Sequence, residues 1–535
     1  MSTIDTTNQV YLASDTKIEP LAFRWYAWSH LVSPVQQALN LAFRHVPMLR
    51  SFIANPAVHE AAAKNPKMLG GSFLELTRKD LDSVRSLLQD IMQRGAHMLS
   101  FAEDLIKFDR HLHKSETGFS LDHLYGNLPG SLAGLIEASY DLNNHPSLRV
   151  LEELIYRNSR LHAPAQEIAF SKTPDHQRNF FINTPRLASS DRIIVGLPFD
   201  DERFDLISAN RISALPFHQV ADALGVNDEA ERARLRGYFS VQPPPRNEPA
   251  YAGDGVRVRY FGHACVLIQS AEVSVLVDPF LTWDHGEGDD RLTFHDLPDR
   301  IDYVFLTHNH QDHFSIEVLL QLRNRIGTIL VPRNNANNLA DPSMKLALRA
   351  IGYVNVQVMD PLDSIAIPGG RLVSLPFYGE HADLSISSKH GLYVSIREHN
   401  LLFLADSDGK DRMLYRHLAR QLGRVDQLFI GMECDGAPLT WLYGPYLSQP
   451  ISRKDDDSRR LSGSDSEHAW TIVEEFGCSQ AYVYAMGQEP WLRFVAGLQY
   501  TPESKQIVES DKFVERCRAA GIPAERLCGS RTIVI

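Results

Sequence analysis

The chain has 535 residues, 54 Lys and Arg against 66 Asp and Glu, a net charge of −12 and five cysteines. With 44% hydrophobic and 22% charged residues it has the composition of an ordinary globular protein, long enough for two to four domains. That excludes a disordered chain, a collagenous chain and a disulfide scaffold. The acidic balance argues against nucleic acid as a partner, because phosphate binding needs a basic field.

The first twenty residues lack a basic stretch followed by an apolar run, so no signal peptide is expected. No apolar run approaches the roughly 18 residues of a membrane helix. The cysteines Cys265, Cys434, Cys478, Cys517 and Cys528 form no C-x-x-C pair, which suits a reducing compartment. These features together predict a cytoplasmic protein without a membrane partner.

Helical signals dominate the first 240 residues. Leu81, Val84, Leu88, Met92, Leu99, Ala102, Leu105 and Ile106 recur near helical spacing and predict a long helix or a helical pair over 79–113. A short strand is predicted at 192–197, and Asn227-Asp228 opens a capped helix. No cofactor motif occurs here. Residues 1–245 therefore read as a helix-rich α+β domain that dimerises the chain or shapes access to a neighbouring site.

The run Gln242-Pro243-Pro244-Pro245-Arg246-Asn247-Glu248-Pro249 cannot continue a helix or a central strand, because proline lacks the N–H and restricts its predecessor. Beyond it, from 246 to 535, short β-rich runs alternate with loops and helices. Strands are predicted at 256–260, 264–269, 274–277, 303–306, 328–331, 354–359, 371–376, 391–397 and 401–405. Helices at 316–326 and 411–422 would cover the sheets. The segment 452–466 is polar and charged and reads as a mobile loop.

The 22 histidines matter only where they cluster. After the predicted strand 303–306 comes Thr307-His308-Asn309-His310-Gln311-Asp312-His313. In extended chain, residues two apart point the same way, so His308 and His310 can reach one metal from one side. Asp312 and His313, at the turn into the next helix, can aim at a second. Nitrogen and oxygen donors together suit zinc or iron better than calcium or magnesium. Further ligands are sought at Glu380 or His381 after one strand, at Asp406 after another, and at His468 where a polar loop enters a helix.

The motif His308-x-His310-x-Asp312-His313, with Gly262-His263-Ala264, Val277-Asp278-Pro279 and Asp406, resembles the metallo-β-lactamase superfamily over approximately the last 285 residues. The resemblance implies an αββα sandwich with a dinuclear metal site at one sheet edge. His263 and Asp278 read as groups that hydrogen-bond to the ligands.

Hydrolases of this superfamily supply a histidine where this chain reads Gly379-Glu380-His381. With the chain length and the large N-terminal domain, this makes the sequence similar to the diiron β-hydroxylases of nonribosomal peptide biosynthesis. The resemblance implies His308, His310, Asp312, His313, Glu380, Asp406 and His468 as iron ligands, with Glu380, Asp406 and Glu433 acting in catalysis and Glu433 beside the cluster. It implies two iron ions, dioxygen, an external reductase as electron donor, and an aromatic or aliphatic aminoacyl substrate, such as leucyl, carried by a peptide-synthetase carrier domain. It also implies a homodimer. The alternative is a dizinc hydrolase of a lactone, phosphodiester or thioester.

Overall fold

The computed structural model describes residues 9–535 apart from 66, 67, 69, 116, 117, 159, 162–164, 285–290 and 498. Residues 1–8, the start of the segment read as free of a leader, lie outside the described residues. Among the described residues, no helix is long and apolar enough to cross a membrane. None of the five cysteines forms a disulfide.

In the N-terminal half, the expected helical region is a pair, Leu81–Arg94 and Ala96–Ser115, joined at Gly95. A Cβ at Gly95 would stand 2.7 Å from the Ile91 carbonyl and 3.0 Å from Leu41, so the junction is too tight for a side chain. Val84, Ile91, Met98, Ala102 and Leu105 are fully buried along one face, whereas Met92 is turned to the surface. Burial of each large apolar side chain contributes about 1.5–3 kcal/mol. Helix Glu229–Arg236 starts at Asp228, whose carboxylate accepts the Glu231 N–H at 2.9 Å. The strand Arg192–Gly196 lies at one edge of a four-stranded sheet with Trp25–Tyr26, Lys17–Ala22 and Gln166–Ser171.

Two seven-stranded sheets face each other in the C-terminal half. The first runs in the order Val356–Met359, Ile326–Pro332, Ile301–Phe305, Ser274–Val277, Val266–Gln269, Arg257–Tyr260 and Arg531–Val534. The second runs Ser364–Ile367, Gly370–Leu375, Gly391–Ile396, His399–Phe403, Gln427–Gly431, Gln480–Tyr484 and Ala524–Arg526. Strand alternation explains the layers. Val266, Ile268, Val275 and Val277 point between the sheets to meet Leu372, Val394, Phe403 and Phe429. Leu267 and Leu276 point outward into a core shared with the N-terminal half. Helices Arg412–Leu422, Ser466–Phe476 and Lys505–Ala519 cover the second sheet's outer face, through Tyr415, Ile472 and Phe513.

The segment 452–466 differs from its expected mobile loop. Ser452 caps a helix at Arg453–Ser458 by accepting the Asp455 N–H, and the following stretch buries Leu461 and Ser464. Its charges face out, but its backbone returns to the protein and forms part of a cavity wall.

Candidate metal centre

The histidine loop begins where the strand Ile301–Phe305 ends. Asp278 fixes its entrance. Its Oδ1 accepts the Thr307 N–H at 2.7 Å, and its Oδ2 accepts the Thr307 hydroxyl at 2.6 Å and His313 Nδ1–H at 2.8 Å. Because the Thr307 hydroxyl has given its proton to Asp278, it accepts from His308 Nδ1–H at 3.0 Å. His308 and His313 are thereby left with Nε2 as the lone-pair nitrogen. Both Nε2 atoms are buried with no hydrogen-bond partner.

Two strand ends bring carboxylates to these nitrogens. Glu380 follows the strand Gly370–Leu375 on a loop with positive φ at Gly379, Glu380, Ala382 and Asp383. Such a run of left-handed residues is strained and is held here by the Glu380 N–H on the Ser462 carbonyl and by Lys389 Nζ on the Gly379 carbonyl. Asp406 follows the strand His399–Phe403, and a Cβ at Gly431 would stand 2.6 Å from its Oδ1, so a glycine is needed opposite it.

The result is a chain of overlapping triples whose ligand atoms lie within 4.8 Å of one another: His308, His310 and Glu380; His308, His313 and Asp406; and His263, Asp312 and His313. Asp406 Oδ2 is 3.0 Å from His313 Nε2 and 3.6 Å from His308 Nε2, so it faces both halves. Glu380 Oε1 is 2.7 Å from His310 Nδ1. His381 stands behind: its Nδ1 shares a hydrogen bond with the Tyr443 hydroxyl at 3.0 Å, and the same hydroxyl is 3.4 Å from His310 Nε2. Its Nε2 is also buried without a partner, yet it is Glu380 that joins the triple.

His263 belongs to the third triple. Its Nδ1 accepts the Gly487 N–H at 3.2 Å, and its Nε2 lies 3.1 Å from Asp312 Oδ2. That nitrogen is buried without a hydrogen-bond partner, like those of His308 and His313.

His468 is not brought to the cluster, and its expected role as a ligand is corrected. Asp465 caps the helix Ser466–Phe476 and accepts the His468 N–H. Its Nδ1 bonds Asp408 Oδ1 at 2.6 Å, and its side chain is 40% exposed. Glu433 takes the place beside the triples that His468 does not fill. It follows the strand Gln427–Gly431 and lines the same cavity as Asp312, Glu380 and Asp406.

The electrostatics separate the donors. Burial, then the neighbouring His313 and His310, keeps His308 well below the usual imidazole range, and burial brings His310 down to about 4. Both are neutral, as ligation requires. Burial would also depress His313, but Asp406, Asp312 and Asp278 outweigh it and lift the ring well above its usual value. Glu380 and Glu433 are pushed far above the usual carboxylate range, first by burial and then by the like charges of Asp406 and Asp312 around them. Four acidic side chains thus share one space with His308 and His310, which are neutral, and with His313, whose ring they draw towards its charged form. With the orphaned nitrogens of His308 and His313 and the orphaned Oδ1 of Asp406, this donor set fits a pair of divalent metal ions.

The cluster opens into a cavity of about 270 Å³. His310, Asp312, Glu380, Asp406 and Glu433 form its polar side. Its apolar side combines Trp441, Leu442 and Leu461 with Gly70 and Phe180 of the N-terminal half. No sequence signal marked Phe180 or Gly70, because their role depends on packing more than a hundred residues away in the chain.

Comparison with known proteins agrees with this architecture. Residues 11–243 match the family described as diiron non-heme beta-hydroxylase N-terminal domain. Residues 257–432 match the beta-lactamase superfamily domain. The chain is 34% identical over 98% of its length, and 99% of the relative, to the 4-amino-L-phenylalanyl-[CmlP-peptidyl-carrier-protein] 3-hydroxylase of Streptomyces venezuelae. The chain belongs to the CmlA-type diiron β-hydroxylases. The crystal structure of CmlA, a diiron beta-hydroxylase from the same organism, superposes with a TM-score of 0.91 at 33% identity, covering 98% of this chain and 99% of that one. A UPF0173 protein of Pyrococcus abyssi is 26% identical over 28% of the chain and 60% of its own length, a likeness confined to part of the fold. The family places a metallo-β-lactamase αββα sandwich behind a helix-rich α+β N-terminal domain, the fold class expected from the sequence.

Proposed function

We propose that the protein is an O2-dependent diiron monooxygenase that hydroxylates the β-carbon of an aminoacyl group tethered to a peptide-synthetase carrier domain. The observation that carries this reading is the carboxylate-rich donor set in which Glu380, and not a further histidine, joins His308 and His310. Full-length similarity to a carrier-bound aminoacyl hydroxylase supports it.

In this reading His308, His310 and Glu380 hold one iron. Asp312, His313 and Glu433 hold the other, and Asp406 lies between them. The unit extends over residues 246–535, and residues 1–245 cover its mouth. The irons supply O2 activation: one oxygen atom enters the β C–H bond and the other leaves as water, with two electrons from an external reductase and two protons.

The protein's own residues prepare that chemistry. Asp278 and Thr307 fix the tautomers of His313 and His308. His263 aims Asp312, and Tyr443 backs the ring of His310. The apolar wall keeps bulk water from the β-carbon. Carboxylates that change denticity suit metals that change oxidation state, which a fifth imidazole would serve less well.

The test is to incubate the iron-loaded enzyme with an aminoacyl carrier domain, O2 and a reductant, and to weigh the carrier. The expected product is an acyl group heavier by one oxygen and still attached. Release of the free amino acid by a zinc-loaded, colourless protein would overturn the reading. Glu380→Ala is expected to lose more metal than His381→Ala; the reverse order would put the ligand assignment wrong.

A further inference from the structure

The N-terminal half does more than cover the site. Phe180 is fully buried and reaches the cavity between two glycines. A Cβ at Gly497, where φ is +66°, would stand 3.0 Å from Phe180 Cε2 and 3.2 Å from Cζ. A Cβ at Gly70, where φ is +78°, would stand 3.6 Å from the same ring and 3.4 Å from Trp441 Nε1. The Phe180 and Trp441 rings lie 6.1 Å apart and tilted by 43°. A side chain at Gly497 would crowd the Phe180 ring, a Cβ at Gly70 would touch both rings, and the positive φ at each position favours glycine.

The segment that carries Phe180 is tied down on every side. Its N–H donates to Glu75 Oε2 at 2.9 Å, and Asn179 Nδ2 donates to the Glu75 carbonyl at 3.1 Å. The Phe181 N–H donates to the Phe494 carbonyl. Arg178 lies 3.5 Å over the Phe494 ring and pairs with Glu317 at 2.7 Å, on the helix that follows His313. The ring is therefore held in register with the histidine loop and is not a loose lid.

Opposite the ligands, the wall offers Phe180, Trp441, Leu442 and Leu461 and no charged partner. The charges at its rim, Asp435 and Arg460, are paired with each other at 3.0 Å. With metal bound to the carboxylates on the far side, a charged side chain against this wall would lose water without an ion partner, whereas an apolar ring would find two aromatic neighbours.

We propose that Phe180 and Trp441, spaced by Gly70 and Gly497, form the wall that selects the side chain of the aminoacyl group, favouring a bulky apolar chain and aromatic over aliphatic. This rests on the hydroxylase reading for the identity of the substrate, but it makes its own claim about binding.

The test uses the full-length metal-loaded protein, without reductant, and non-hydrolysable aminoacyl-pantetheine amides bearing phenylalanine, leucine, alanine, lysine and glutamate, with affinity read by calorimetry. Phenylalanine is expected to bind tightest, leucine next, and lysine and glutamate about tenfold or more weaker than phenylalanine. Phe180→Ala should shrink the phenylalanine-to-alanine ratio about tenfold, and Phe180→Leu should retain part of it. Trp441→Leu, in a different segment, gives the same reading if the Phe180 variants do not fold. Gly497→Ala should shift the preference towards alanine. Lysine or glutamate binding as well as phenylalanine, or an unchanged ratio in folded Phe180→Ala or Trp441→Leu, would overturn the proposal. Ratios that move as expected in a protein that hydrolyses its thioester would keep the wall and remove the hydroxylase reading. Failure of every amide to bind would count against both.

Discussion

Two clusters of buried charge adjoin the helix Ile316–Leu322, and they balance in opposite ways. On its first turn Glu317 joins Lys17, Glu19, Asp175, Arg178 and Arg186, three cations with three anions. Every member has an opposite charge within 4 Å, and Arg178 alone bridges Glu19, Asp175 and Glu317. Just before the same helix, Asp312 and His313 belong to a cluster where acidic groups meet largely neutral imidazoles, and where His308 Nε2, His313 Nε2 and Asp406 Oδ1 have no hydrogen-bond partner. In the first cluster Arg178 Nε, Arg186 Nη2 and Glu317 Oε1 also lack a hydrogen bond, but anions and cations there are equal in number and each charge has an opposite one beside it. The second needs cations from outside. A buried polar group costs free energy unless it is paired, so the contrast distinguishes a tie between domains from a metal site.

The largest expected effect comes from the second cluster. Asp406→Asn should lose at least one metal per chain by elemental analysis, and hydroxylation should fall by about a thousandfold or more, about 4 kcal/mol of barrier. Full metal retention would break the comparison from that side. Arg178→Met attacks the first cluster, leaving Glu19 and Glu317 buried without their shared partner at a cost of about 3–4 kcal/mol by denaturant unfolding. Arg178→Lys should recover only part of this, because an ammonium cannot span both carboxylates as the guanidinium fork does. Chelation is next: stripping metal should lower Tm, and metal restored at a hundredfold excess over its Kd should return about 2.7 kcal/mol.

A pH-dependent effect is expected at Glu152, which is buried against the Ser343 N–H with no ion pair among the described residues. Burial pushes its carboxyl up to about 8, so the fold keeps it protonated. A raised folded value means that its contribution is fully present below the unfolded pKa near 4.5 and is lost as pH rises through about 8. Glu152→Gln should therefore gain Tm relative to the natural protein progressively from pH 5 to 8 and level off above. A difference in Tm that does not change with pH would contradict this.

Much of this was legible in the sequence because the informative residues are adjacent in it. The loop 307–313 carries four side chains of metal-ligand type after one strand, and short β-branched and aromatic runs bounded by Gly, Pro, Asn and Asp marked most strands of the sandwich. The strands at Ser364–Ile367, Gln427–Gly431, Gln480–Tyr484, Ala524–Arg526 and Arg531–Val534 were not expected; several are short or lie at sheet edges, where the pattern is weak. His468 misled because a histidine at a helix start looks like a ligand, whereas Asp408, two residues beyond Asp406, captures it. Phe180 was invisible because its place in the cavity depends on glycines at 70 and 497, more than a hundred residues away on either side.

The most direct test of the central claim is the metal content of the purified full-length protein together with its visible spectrum. The account predicts about two irons per chain and the absorption of an oxo-bridged diferric pair, bleached on reduction. Two zincs in a colourless protein, or no metal retained by a folded protein, would contradict it.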